Sequence, residues 1–349
     1  MSYLKFRNPR IKILHDIYSK DFPEFLKPFL EAPELKRLHG ITQYCGLPFS
    51  KLFQYNLVIS RLDHSVGVAL IVRNFTKDIK QTLAGLFHDI SHTVFSHVGD
   101  FYKGDHLYQK SSEVYVSDKI KNSIILMKEL KKLGIKIEET EDYTIYPIAD
   151  NNLPRLAADR LEYNILGLTC WKDFDYKIIE QIYENITVLK NEDNIDELGF
   201  QDENPAYNFG KIALNNDKNH VASYEAKIGM SFLSEILKES VKCSLIREND
   251  IYTLTDEDIF EIIEKSNNPE LLYMLNFFKN LGSYKIYETM PNNGKFFVDS
   301  KIKKRWIDPL VITKSGNKRL SEINNSYKQE IDNYKNQNKQ EFIEIDFNI

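Results

Sequence analysis

Apolar positions crowd into two neighbouring stretches near the start of the chain. Residues 60–75 hold the longest apolar run, Val66-Gly67-Val68-Ala69-Leu70-Ile71-Val72, and read as a buried helix. Residues 78–90 read as a second. The run is far short of the ~20 apolar residues that a membrane span needs. Upstream, Lys12-Ile13-Leu14-His15 is strand-like, and Glu34 to Ile41 is helical, closed by Gly46-Leu47-Pro48. Downstream, residues 111–133 form an amphipathic helical zone with Ile120, Ile124, Met127, Leu130 and Leu133 on one face, ended by Gly134. A short strand or loop excursion over 135–153 leads to a helix from about Pro154. Ile186 to Phe200 reads as a hairpin around Asn191-Glu192-Asp193-Asn194. Residues 206–239 and 256–281 are helical, and Tyr284 to Thr313 is β-rich with a turn at Pro291-Asn292-Asn293-Gly294. The polar tail from Ser326 reads as a solvated helix or frayed end. No internal repeat or low-complexity linker forces a domain cut.

Composition changes this picture little. A chain of 349 residues that is 42% hydrophobic can bury a sizeable core, and a net charge of −5 gives no overall attraction for nucleic acid or anionic membrane. Nucleic acid is therefore a partner that the charge does not indicate. Cys45, Cys170 and Cys243 are far apart and form no C-x-x-C pair, so they read as small buried residues in a reducing compartment. The start of the chain has no apolar secretory segment, which makes a cytoplasmic location the expectation.

Candidate chemistry concentrates in Ala84 to Asp100, where His88, Asp89, His92, His97 and Asp100 fall within thirteen positions after an apolar helix. Imidazoles and carboxylates hold borderline divalent metals and move protons near neutral pH. His64 stands in the first buried helix, and Asp159 in Ala157-Ala158-Asp159-Arg160-Leu161-Glu162-Tyr163 on a third. His64, His88, Asp89 and Asp159 make a four-ligand N/O set for Mn, Fe, Co, Ni or Zn, or for Mg. The absence of a neighbouring thiol disfavours a structural zinc. Burying these groups together is costly unless a cation neutralises them.

The order His64, His88-Asp89, Asp159 resembles the HD-domain metal-dependent phosphohydrolase superfamily. The Arg-x-x-His-Ser-x-Gly-Val block at 61–68, the Ala-Gly-Leu-x-His-Asp-x-x-His-x-x-Phe-Ser-His block at 84–97 and Ala158 to Tyr163 are similar to its dNTP triphosphohydrolase branch. That branch includes the vertebrate SAM-and-HD-domain dNTPase and bacterial relatives. The resemblance implies metal ligation by His64, His88, Asp89 and Asp159, phosphate-facing His92 and His97, and orientation of His97 by Asp100. It places Arg61 and Arg160 on phosphates, Tyr163 on the sugar and Gln43 near a deoxyribose 3′-hydroxyl. It also brings His106, and the His220/Tyr224 pair one helical turn apart, to the nucleotide pocket. Asp100, three residues from His97, is expected to raise its pKa and keep it cationic. Three departures stand out. His106 lacks its following glutamate, Gly167 replaces an acidic sugar contact, and Asn216 replaces a phosphate-binding arginine.

The fold expected is mainly α, with an HD-domain core and N-terminal segment over 1–240 and a smaller α+β region with a polar tail over 241–349. The function expected is metal-dependent hydrolysis of nucleotides, foremost of dNTPs to deoxynucleoside and tripolyphosphate. The alternatives are a phosphodiesterase or nuclease on the same site, and a non-catalytic nucleotide-binding scaffold. The resemblance further implies a homo-oligomer, dimer or tetramer, and leaves room for an allosteric nucleotide. No membrane partner is expected.

Overall fold

A computed structural model describes residues 3–107, 114–171, 175–337 and 340–348. After a single turn of helix, α1 (Tyr3–Phe6), Asn8 caps α2 (Pro9–Tyr18) by accepting from the Arg10 amide. This segment is helical where a strand was expected. Ile11, Leu14, His15 and Tyr18 repeat at helical spacing and are all buried, and Pro9 suits a first turn. The expected helix around 34–41 is shorter, α3 (Pro33–Arg37), and runs into a 3₁₀ turn at Leu38–Gly40.

The centre of the molecule is α4 (Arg61–Thr76), buried without interruption from Arg61 to Val72. Its turns from Val66 to Val72 are apolar all round because other helices cover them, notably α2, α5 (Ile79–Phe87) and the helix that carries Asp159. A tight loop leads into α6 (Val98–Lys103). The amphipathic zone that follows is two helices, α7 (Val116–Asn122) and α8 (Ile124–Leu133); residues 111–113 lie outside the described residues. Ser123 ends one helix and caps the next, which resets the phase. Ile120, Leu126 and Leu130 are therefore buried, whereas Ile124 is 86% exposed and Met127 and Leu133 also face outward. The expected single face does not exist.

The third helix of the site, α9 (Ala158–Trp171), starts four residues later than Pro154, and α10 (Tyr176–Glu184) leads into the hairpin. Its strands, β1 (Ile186–Lys190) and β2 (Asp196–Phe200), pair antiparallel from Ile186 opposite Phe200 to Lys190 opposite Asp196. The long helical stretch beyond is α11 (Glu203–Asn216), a π turn at Asp217–Val221, and α12 (Tyr224–Lys242). Next come α13 (Asp256–Lys265) and α14 (Pro269–Asn280).

The strands β3 (Lys285–Tyr287), β4 (Lys295–Asp299), β5 (Leu310–Thr313) and β6 (Gly316–Arg319) are followed by α15 (Leu320–Ile323), α16 (Asn325–Asn336) and β7 (Phe342–Asn348). They enter two sheets, ordered β1-β2-β5-β6 and β3-β7-β4. The tail is packed, not frayed: Tyr327, Ile331 and Tyr334 of α16 are buried, and Ile343 and Ile345 place β7 in the interior. Its polar composition disguised a narrow apolar stripe at helical spacing, followed by a strand. The fold is thus mainly α with smaller β parts. Among the described residues two clusters of buried side chains form, one around α4, α5 and α9–α11, the other around α12–α14 and β7. Cys45 and Cys170 are buried, but Cys243 is exposed at the end of α12. None of the described helices is long and apolar enough to cross a membrane.

Candidate metal centre and cleft

Local signals put each ligand on a stiff support. Ser60 and Asp63 form a reciprocal capping box, with Ser60 Oγ donating to Asp63 at 2.7 Å, and this fixes the first turn of α4 that carries Arg61 and His64. Asp78 caps α5, whose far end presents His88 and Asp89. His88 Nδ1 donates to the Gly85 carbonyl at 2.7 Å, which turns Nε2 toward the site. Asp159 lies in the first turn of α9. Helices α4 and α9 approach closely at Gly67, where a Cβ would stand 2.5 Å from Glu162 Oε1. That gap lets Glu162 accept a hydrogen bond from His64 Nδ1 at 2.5 Å.

Four side chains converge. His64 Nε2 is 3.0 Å from Asp159 Oδ1, 3.3 Å from His88 Nε2 and 3.9 Å from Asp89 Oδ2. His88 Nε2 is 3.5 Å from Asp89 Oδ1 and 3.8 Å from Asp159 Oδ1. Metal–donor bonds of about 2.1 Å set neighbouring donors roughly 3.0–3.4 Å apart, so the spacing suits one divalent cation. His64, His88 and Asp89 by themselves satisfy the compactness of a metal site. Electrostatics agree. Burial pushes the His64 imidazole down, but Glu162 and Asp159 against its two nitrogens outweigh this and raise it to about 10. A cation at Nε2 would replace that proton, while Glu162 keeps the one on Nδ1. Burial would raise Asp89, yet Arg61 and then His88 hold it well below the usual carboxylate range. Burial acts the same way on Asp159, and His64 brings it to about 2.

A cleft of about 560 Å³ opens over this centre. Its lining includes Gln43, Arg61, His92, His97, Arg160, Tyr163 and His220 with the four metal-facing groups. His97 Nδ1 donates to Asp100 at 2.9 Å, and Asp100 is almost wholly buried. Even so, His97 is not held cationic. Burial lowers its pKa and outweighs the Asp100 bond, and Arg61 and Arg305 lower it further. Burial, then Arg61, also keeps His92 well below its ordinary value. Arg61 pairs with Asp89 at 2.9 Å and donates to Ser96 Oγ at 2.8 Å. Arg160 pairs with Asp150 at 2.9 Å and donates to the Arg155 carbonyl and to Asn151. His220 lies flat on Trp171, with ring centres 3.6 Å apart.

Two of the residues expected at the pocket are not brought to it. His106 stacks on Phe101 and meets Lys227 Nζ at 3.1 Å, and Tyr224 donates to Glu341. Neither lines the cleft. His220 belongs to the π turn at Asp217–Val221, and an extended Ser223 caps α12 before Tyr224, so the two residues do not share the face that a continuous α-helix would give them.

Other residues escaped the sequence reading. Glu162 lies within the Ala158 to Tyr163 block, where its spacing of three from Asp159 was the available signal. Asp256 gave none. Wholly buried on α13, it accepts from Thr42 N and Oγ1, both at 2.8 Å, and from Phe95 N at 2.6 Å. It thereby ties down the loop in which Phe95 and Ser96 adopt φ of +54° and +55°, a costly conformation for non-glycine residues. Ser96 Oγ donates to the Thr42 carbonyl at 2.6 Å, so the chain of contacts runs from Asp256 to Arg61 and Asp89. The two departures at Gly167 and Asn216 are one exchange. A Cβ at Gly167 would stand 2.9 Å from Asn216 Oδ1, so the missing side chain makes room for the amide. Lys303 and Arg305, between β4 and β5, also line the cleft.

The HD domain model matches residues 61–163, from the first residue of α4 into α9, and takes in all four metal-facing side chains. The chain therefore carries an HD domain, and the His/Asp cluster that could hold a metal ion lies within it. It is 24% identical over 291 residues to "Uncharacterized protein YdhJ" of Bacillus subtilis, covering 82% of this chain and 83% of that protein. It is 25% identical over 264 residues to "Metal-dependent phosphohydrolase cns2" of Cordyceps militaris, covering 74% and 75%.

Proposed function

We propose that this enzyme hydrolyses nucleotides, with deoxynucleoside triphosphates split to deoxynucleoside and tripolyphosphate as the foremost reaction. The observation that carries the reading is the composition of one cleft. A four-donor metal centre, a His97–Asp100 pair and a wall holding Tyr163, Gln43 and His220 face a common space. The name of the Cordyceps militaris relative supports the phosphoryl part. His64, His88, Asp89 and Asp159 would hold a divalent ion, which would supply Lewis acidity to a phosphoryl oxygen and to attacking water. Arg61 fixes Asp89 in place. The Asp100 bond commits His97 Nδ1 as a donor, which leaves Nε2 to hand a proton to the leaving oxygen as the P–O bond breaks. An anionic substrate beside His97 raises its proton affinity to the level this step needs.

The test is a product screen across dNTPs, NTPs, cyclic nucleotides and oligonucleotides with Mn²⁺, Mg²⁺, Co²⁺, Ni²⁺ and Zn²⁺. Deoxynucleoside and tripolyphosphate from dNTPs is the result expected. Asn216 packed into the space at Gly167 favours a second reading, since it removes two contacts expected for a triphosphate substrate. Release of nucleotides from oligonucleotides or cyclic nucleotides, with dNTPs untouched, would establish that phosphodiesterase instead.

A further inference from the structure

Arg61 and His64, in the first turn of α4, both line the cleft, whereas Asp63 between them is buried outside its lining. The Asp63 carboxylate is engaged on both oxygens. Oδ2 accepts from the Ser60 amide at 3.0 Å and from Ser60 Oγ at 2.7 Å, which closes the capping box. Oδ1 accepts from Tyr3 Oη at 2.7 Å. Tyr3 is wholly buried and lies 60 residues upstream, on α1.

A second contact from the same part of the chain falls on the same residue. His15 Nε2 of α2 donates to the Asp63 carbonyl at 3.1 Å. Arg7 meets His15 Nδ1 at 3.0 Å, and since arginine can only donate, the imidazole proton sits on Nε2. The N-terminal segment therefore clasps Asp63 by its side chain and by its backbone. Ser60 carries this support to the cleft. It bridges to Thr42, and next to that bridge the Arg61 amide donates to the Ile41 carbonyl and the Gln43 amide to the Ile59 carbonyl, both at 2.9 Å. Without the Tyr3 hydroxyl, one oxygen of an almost wholly buried carboxylate would have no partner. Leaving a buried acceptor unpaired is costly, so Asp63 would turn toward another donor and loosen its bonds to Ser60. His64 is the next residue, and a metal donor must be held to within about half an ångström.

We propose that Tyr3 is a positioning residue for the metal centre: through Asp63 it holds the first turn of α4, and with it His64, in place for the ion. The role concerns metal binding and goes beyond the nucleotide reading above.

Co²⁺ titration of the full chain, followed by visible absorption with a chelator in competition, tests this without any turnover. Tyr3→Phe removes one oxygen and keeps the ring. It should weaken Co²⁺ binding by about tenfold, the lower end of the effect of partners behind metal ligands, and shift the visible bands of the bound ion. Tyr327→Phe is the comparison. Its hydroxyl, wholly buried on α16, donates to the Ile307 carbonyl, so a bond of the same kind is lost far along the chain from Asp63. Stability should fall by a similar amount in both variants, but Tyr327→Phe should change Co²⁺ binding less than about twofold and leave the bands in place. His15→Leu removes the second clasp and should weaken binding by about threefold, which decides the matter should Tyr3→Phe fold poorly. Equal weakening by Tyr3→Phe and Tyr327→Phe, or unchanged binding and bands in Tyr3→Phe, would overturn the positioning role. So would unchanged binding in His15→Leu where that variant alone folds. Failure of the unmodified protein to bind Co²⁺ would overturn it together with the metal centre, whereas failure to hydrolyse any nucleotide would overturn only the nucleotide reading.

Discussion

The two sides of the cleft are built in opposite ways. The metal side comes from three helices within residues 61–163, each capped or backed by its neighbours, with all four donors buried or nearly so. The far side comes from the π turn at Asp217–Val221 and the coil holding Lys303 and Arg305, linked through Asp217 and Tyr334. Donor spacing around a cation tolerates errors of a few tenths of an ångström, so it requires rigid elements. A countercharge acts over a longer range and can be delivered from a coil. Precision therefore concentrates in one part of the chain, and charge can be recruited from anywhere.

The largest effect should come from breaking the metal side. Asp89→Ala removes a donor and strands Arg61, and should cut activity by about 10³-fold or more with loss of bound metal in elemental analysis. Asp256→Ala tests whether the support of that side extends into α13. Three hydrogen bonds to the strained 93–97 loop and Thr42 disappear, which should cost about 3 kcal/mol in denaturant unfolding and about 100-fold in kcat while metal is retained. Glu162→Gln leaves the four donors in place but loosens His64, and metal affinity in a chelator competition should fall by about 10–100-fold.

Acid offers a gentler probe. Burial, with Arg7 beside it, lowers the His15 pKa from 6.5 to about 3. Unfolded chains then bind more protons than folded ones between those values, so this stabilising contribution is complete above pH 6.5 and is lost as pH falls toward 3. Relative to pH 7.5, His15→Gln should lose about 2–3 kcal/mol less than the unmodified protein at pH 4.5, read from paired unfolding curves. The smallest effect belongs to Tyr224→Phe. Only the bond to Glu341 is lost, so stability should drop by about 1 kcal/mol, and KM should change less than twofold.

Legibility in the sequence followed the same divide. His64, His88, Asp89 and Asp159 sit in compact blocks with recognisable neighbours, and the helices carrying them announce themselves by apolar runs and caps. Lys303 and Arg305 sit in an ordinary stretch, and nothing local says that Asp217 will hold them against the cleft. The strand expected at Lys12 to His15 failed because four residues are too few to separate the two periodicities, and the Asn8-Pro9 cap was the better guide. The polar tail misled because Tyr327, Ile331 and Tyr334 bury a stripe that mean composition hides. Asp256 was invisible because its partners, Thr42 and Phe95, lie 214 and 161 residues away.

β7 is the middle strand of its sheet, between β3 and β4, and pairs with both. A nascent chain on the ribosome can therefore assemble the capped helices around α4 early, yet β3 and β4 lack their common partner until residues 342–348 emerge. Shortening the protein by this last strand should release a species that still gathers its ion while exposing Phe232 and the underside of α12, recognisable by dye binding and by a protease-sensitive C-terminal half.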